Sequence, residues 1–237
     1  MKLERIGKGN LAYCLSQLGK RELAESSDVI KDRITNYKNH VESGAWTAEN
    51  SNVVDGKILL ARAEFNPLIR YANQAVEAQR TGEFYLTPEI VDANGKPYSQ
   101  LLNEIAEADA NKVFGKKRVA DFGKVVTHDV PTDSFADDDT IVFLAKGKKL
   151  ANQYGLFLRN KLPEELRLPS VKVYHTPLSD KDYARGVWLY RLGWNSRSSF
   201  NCDIGSLCND LGFVFGVPQI AEGDAPKISE SKVRIPS

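Results

Sequence analysis

Helical signals crowd into the first eighty residues of this chain, and short apolar runs into the rest, with Gly82 between them. The clearest helix lies in "EFNPLIRYANQAVEAQRTG". Asn66 suits an N-cap, Pro67 sits where its missing N–H costs nothing, and Gly82 can close the helix in a left-handed conformation. Leu68, Tyr71, Ala72, Ala75 and Val76 then share one face. Leu11, Leu15 and Leu18 repeat the pattern upstream, as do Ile30, Ile34, Tyr37 and Val41. The intervening "SGAWTAENSNVVDG" is polar and is predicted to be a loop carrying one Trp.

Beyond Gly82, "EFYL" predicts a short strand, "DANGKP" a turn, and "YSQLLNEIAEADANKVFG" a helix ending at Gly115. Short strands follow in "RVADFGKVVTHDV", "TIVFLA", "SVKVYH" and "ARGVWLYRL", of which "TIVFLA" is the strongest. "KGKKLANQYGLFLRNK" interrupts them as an amphipathic helix that buries Leu150, Tyr154, Phe157 and Leu158, with Gly155 as a mild weakness. This order predicts an α+β protein, with a mainly helical N-terminal region over 1–115 and a domain of short irregular strands over 116–237. The βαβ alternation and glycine motifs of a doubly wound nucleotide fold are absent, as are solenoid repeats. The polar tail from Gln219 is expected to cover surface without a core of its own.

A chain of 237 residues can bury a core without disulfide staples. Its 32 Lys and Arg balance 31 Asp and Glu, which gives the molecule as a whole no electrostatic reason to seek nucleic acid or anionic lipid. No apolar run approaches bilayer length, and the N-terminus lacks the apolar stretch of a signal peptide. The expectation is a soluble protein, cytoplasmic as synthesised and compatible with a place on a virion or cell surface. Cys14, Cys202 and Cys208 form no CxxC pair, which fits a reducing compartment.

Candidate chemistry is sparse. "THDVPTDSFADDDT" offers His128, Asp129, Asp133 and Asp137 to Asp139, but in no metal-loop spacing, and its Pro, Asp and Ser are turn formers. His40 and His175 lie far apart in sequence, and no GxSxG or catalytic triad can be assembled. Cys202 and Cys208 have no third or fourth metal ligand nearby. No metal or cofactor is expected.

The C-terminal quarter carries more. In "YARGVWLYRLGWNSRSSFNCDIGSLCNDLGFVFGVPQIA", Trp188 and Leu189 lead into Asn195, Ser196, Arg197 and Ser198. Phe200, Leu207 and Val214, spaced seven apart, read as inward anchors of an otherwise polar stretch, and Gly212, Phe213, Gly216 and Val217 close it. This pattern resembles the C-terminal part of C-type-lectin-like domains in bacteria and phages. The branch nearest in texture is that of the ligand-binding variable proteins diversified by diversity-generating retroelements. The formylglycine-generating enzymes share the fold and a similar "LGF" ending. The arginine expected near the end of the pattern is missing, and upstream the resemblance weakens toward residue 119.

Adenine-directed mutagenesis of AAC-type codons samples residues that exclude Lys, Glu, Gln, Met and Trp. Those five make up 44 of 237 residues here, yet none occurs from Asn195 to Pro218, although residues 125–145 share that absence.

The resemblance implies a variable segment over 194–217. Strand alternation would put Ser199, Asn201 and Asp203 opposite Phe200 and Cys202. The display candidates are Trp194, Asn195, Arg197, Ser199, Asn201, Asp203, Ser206, Asn209, Asp210, Phe213 and Phe215. Aromatics supply contact area at low entropic cost, while short polar groups adapt their hydrogen bonds. The implied function is non-enzymatic binding, receptor- or adhesin-like, of a protein or glycan. One alternative is a phage or prophage structural protein with the N-terminal helices as its assembly module. Another is an oxidase of the formylglycine-generating type using Cys202 and Cys208.

Overall fold

The computed structural model describes residues 3–41, 44–54, 57–80, 91–92, 94–111, 119–121, 127–175, 183–192, 199–204 and 212–217. The first part of the chain forms β1 (Glu4–Gly9), α1 (Leu11–Ser16), β2 (Glu22–Leu23), α2 (Ser26–Asn36), β3 (Ala45–Val54), β4 (Lys57–Ala61), α3 (Pro67–Arg70), α4 (Ala72–Arg80) and α5 (Tyr98–Asn111). The rest forms β5 (Val119–Asp121), β6 (Thr127–Pro131), α6 (Asp139–Leu144), α7 (Lys148–Leu156), β7 (Ser170–His175), β8 (Tyr183–Leu189), β9 (Phe200–Ile204) and β10 (Gly212–Val217). Among the described residues no helix is long and apolar enough to cross a membrane.

One mixed sheet runs in the order β1-β10-β3-β8-β9-β7-β6, with β2 also on β10, and β4 between β3 and β5. The two ends of the chain meet in it: Arg5 pairs with Phe215 and Ile6 with Val214, antiparallel. Strands from before and after residue 115 therefore interleave over β1-β10-β3-β8, and the expected division at 115/116 crosses a continuous sheet. The N-terminal region is not simply helical, because β1, β3 and β4 all belong to that sheet.

The largest departure from the sequence reading is "SGAWTAENSNVVDG", which contains the central strand β3 and not a loop. It pairs antiparallel with β4 and β8 and parallel with β10. Glu49, Asn50, Ser51 and Asn52 are buried there. Buried polar groups are costly unless bonded, and all but the Asn50 side-chain oxygen find partners within the fold. The Asn50 amide donates to Asn52 at 2.6 Å. Glu49 accepts from the Ser26 amide at 3.0 Å, from its hydroxyl at 2.9 Å, and from Arg62 at 3.0 Å. Burial pushes the Glu49 carboxyl above the usual range, while Arg62 and the Ser26 donors pull it back. Between Trp46 and Asn50 the register against β8 shifts, and Trp46 meets Trp188 edge to face at 4.7 Å.

"TIVFLA" errs the other way: it is helix α6 and not a strand. Asp138 caps it by accepting from the Ile141 amide at 2.8 Å, and Thr140, Ile141, Phe143 and Leu144 are all buried. A short continuous apolar run cannot distinguish a buried strand from a buried helical turn and a half, and here the cap decides.

Elsewhere the helix signals hold. Asn66 caps α3 through the Leu68 amide at 2.8 Å, with Pro67 in the first turn, though the helix breaks at Tyr71 before α4 resumes. α7 buries Tyr154, then passes into a π turn over Phe157–Lys161 that buries Phe157 and Leu158. Gly155 is not a weakness there: a Cβ would come 1.9 Å from the Thr132 carbonyl oxygen, so only glycine allows this approach. The "DANGKP" turn forms with Gly95 at φ +76° and Asp92 accepting from the Asn94 and Lys96 amides. "EFYL", Gly82 and Gly115 lie outside the described residues.

Candidate functional site

The C-terminal segment leaves and rejoins the sheet at one place. β8 and β9 pair antiparallel with Leu189 opposite Phe200, and the Tyr190 amide donates to the Ser199 carbonyl at 3.1 Å. Tyr190 and Ser199 therefore lie on one rung. Buried groups of α2 and the turn after it hold the departing end. Arg33 donates to the carbonyls of Leu189 at 3.0 Å and Tyr190 at 2.7 Å, and to the Tyr154 hydroxyl at 2.9 Å. The His40 carbonyl accepts from the Leu192 amide at 2.9 Å.

Asp32 completes this cluster. It accepts from Asn36 at 2.7 Å, lies 2.8 Å from His40 Nε2, and takes the Leu3 amide at 3.5 Å. Burial, then the neighbouring Arg33 charge, lowers the His40 pKa to about 4 against the pull of Asp32. The imidazole is thus neutral near pH 7 and lies against Phe215, with ring centroids 4.9 Å apart.

Two of the three expected inward anchors are inward. Phe200 is buried and meets Phe135 and Tyr154 edge to face, each at 6.1 Å. Val214 is buried with Ile6, Leu11, Cys14 and Trp46. The third, Leu207, lies outside the described residues.

Two display candidates change place. Ser199 is buried, and Phe215 belongs to the core against His40, so neither presents its side chain to solvent. Strand alternation accounts for Phe215: it shares a face of β10 with Phe213 but lies further in, where α2 and the following turn cover the sheet. Asn201 and Asp203 occupy β9 positions that alternate with the buried Phe200 and Cys202. Phe213 is half-buried at the start of β10, and Arg5 lies over its ring with the guanidinium carbon 3.5 Å from the centroid. Trp194, Asn195, Arg197, Ser206, Asn209 and Asp210 lie outside the described residues, as does Cys208.

Arg5 and Arg33 are the residues that sequence reasoning missed. Nothing in the pattern could have singled out Arg33, since an arginine on an amphipathic helix reads as a solvent-facing residue. Arg5 could be connected to Phe213 only through the pairing of the two chain ends.

The acidic run resolves into local structure. Asp138 caps α6 and lies 2.6 Å from His128 Nε2; Asp133 pairs with Arg159 at 2.6 Å, and Asp137 with Lys148 at 3.8 Å. His128 stacks on His175 at 5.6 Å, and burial, then the His128 charge, lowers the His175 pKa to about 4. Cys202 is buried in the main core beside His175, its partner in the β7–β9 register. Among the described residues no three His, Cys, Asp or Glu side chains are placed to hold a metal.

No protein-family model matches the sequence, and no curated protein matches it either. A solved structure from work on how the C-type lectin fold accommodates massive sequence variation in Nanoarchaeota superposes with a TM-score of 0.62. The match covers 92% of this chain and 98% of that chain at 11% identity, a level at which the likeness speaks for architecture alone. With β1 and β10 paired within one mixed sheet, and with this superposition, the protein has a C-type-lectin-like fold.

Proposed function

We propose that this protein is a non-enzymatic ligand-binding protein whose C-terminal segment, 194–217, presents exchangeable residues to a protein or glycan partner in the manner of retroelement-diversified variable proteins. The observation that carries this reading is the division of labour along β9 and β10. Phe200, Cys202, Val214 and Phe215 are committed to the core, while the sequence between Cys202 and Val214 is rich in Asn, Asp, Ser and Gly. A segment anchored in that way can change its remaining side chains without losing its fold. The Arg33 and His40 contacts to backbone atoms strengthen the case, because backbone bonds survive side-chain exchange.

The positions expected to exchange are Asn195, Arg197, Asn201, Asp203, Ser206, Asn209, Asp210 and Phe213, with Trp194 at the margin. Arg5, stacked on Phe213, adds a constant cationic group beside them; arginine and aromatic side chains are the usual anchors of recognition surfaces. Burial of Cys202 favours a packing role for that thiol over a redox one.

Sequencing many copies of the gene from one population tests the reading. Substitutions should concentrate at these positions, should follow adenines, and should spare Phe200, Leu207 and Val214. Variation spread evenly along the chain, or none within the segment, would count against it.

A further inference from the structure

A cleft of about 510 Å³ opens between α1 and α4. Of the C-terminal candidates among the described residues, none lines it. Leu11 and Cys14 from α1 pack with Val76 of α4 in a satellite core, so the two helices are held side by side and the cleft lies along their outer seam. Its apolar part is supplied by Ala12 and Val76; its walls are Asn10, Tyr13 and Ser16 on one side, and Asn73 and Glu77 on the other.

Tyr13 is half exposed, the most exposed large hydrophobic side chain among the described residues. Its ring rests on Gly9, where a Cβ would come 2.8 Å from ring atom Cδ1. Glycine at that position lets the ring lie down on β1 while leaving it open to solvent. The Asn10 side-chain oxygen Oδ1 accepts from the Tyr13 amide at 2.9 Å, which fixes the side-chain amide at the rim of the cleft. Ser16 bonds back to the Tyr13 carbonyl at 2.7 Å and so braces the same turn.

We propose that this cleft is a second binding site, for a neutral saccharide. An exposed aromatic ring suits the C–H face of a pyranose, and amide, hydroxyl and carboxylate groups at the rim suit its hydroxyls. Among the described residues no Lys or Arg lines the cleft and Glu77 does, which disfavours phosphates and other anions. Polar groups on both walls disfavour a purely apolar ligand, whose burial would strip them of water.

The site is separate from the C-terminal surface and stands or falls without it. Amide chemical-shift mapping on the full chain, titrated separately with cellobiose, maltose and chitobiose, provides the test. At least one sugar should give saturable shifts confined to residues 10–16 and 73–77. Tyr13→Ala should weaken that binding about tenfold, with Tyr13→Phe keeping most of it. If Tyr13→Ala disturbs folding, Asn73→Ala carries the same test from the facing helix. Absence of saturable shifts with all three sugars, shifts indifferent to both substitutions, or tighter binding of inorganic phosphate at the same residues would overturn the proposal.

Discussion

The core of this protein has two halves of different chemistry. Around α6, α7 and β9 it is built from Phe135, Ile141, Tyr154, Phe157, Leu158 and Phe200. Around α2, β3 and β4 it buries Asp32, Arg33, His40, Glu49, Asn50, Asn52 and Arg62. Apolar packing is non-directional and tolerates changes that conserve volume. A buried charged network is directional, and loss of one member strands another away from water. The polar half is also where β8 departs toward the C-terminal segment, so positional precision is bought there and bulk stability supplied elsewhere.

The contrast is most directly broken by removing one partner from each half. Arg62→Ala leaves Glu49 buried without its cation and takes a donor from the Phe143 carbonyl. It should cost about 3–5 kcal/mol in chemical denaturation. Ile141→Val, in the apolar half, should cost about 0.5–1.5 kcal/mol. Equal costs would show that the two halves do not differ in this way.

Gly155→Ala tests whether the apolar half is as forgiving as its chemistry suggests. The added methyl meets backbone at Thr132 and not a movable side chain. A loss of about 1–3 kcal/mol is expected from overpacking, read as a lower denaturation midpoint at unchanged slope.

Next in size comes pH. His40 and His175 both have folded pKa values of about 4, below their ordinary 6.5, so both are neutral in the fold. Between those values the unfolded chain binds protons that the folded chain does not. Stability is therefore full above about pH 6.5 and falls as pH drops toward 4. By pH 5 the loss should be about 1–2 kcal/mol per histidine. Asp32 and Arg33 face His40, and His128 and Asp138 face His175. His175→Gln should flatten the profile between pH 5 and 7 by about half, which would assign the remainder to the polar half.

The smallest effect belongs to the surface. Arg5→Ala removes only a ring contact from an exposed side chain and should change stability by about 0.5–1 kcal/mol at most. A larger loss would make Arg5 a structural member of the β1–β10 junction and weaken its place on the proposed recognition surface.

The helix caps were legible before any coordinates, because capping is local. Asn66 with Pro67 and the Asp92–Gly95 turn form as their residue types require. Phe200 and Val214 were legible as anchors because they are apolar residues in an otherwise polar stretch. β3 was not, since its polar residues are acceptable inside only when Ser26, Arg62 and Leu59 arrive from elsewhere to bond them. Nor was α6, where a capping Asp ten residues from His128 outweighs an apolar run that reads equally well as strand.

Of the candidate site, the segment and two of its inward residues came from the chain's own pattern. The burial of Ser199 and Phe215, the meeting of Tyr190 and Ser199 on one rung, and the Arg33 and Arg5 contacts came only with the fold. By itself the sequence determined a mixed α and β chain, most of its helix boundaries and the inward-facing positions of its last strands. Tertiary structure decided which polar groups go inside and which ends of the chain meet. Those choices rest on partners far apart in sequence, and a buried charge or a paired edge has no meaning until both sides are in place.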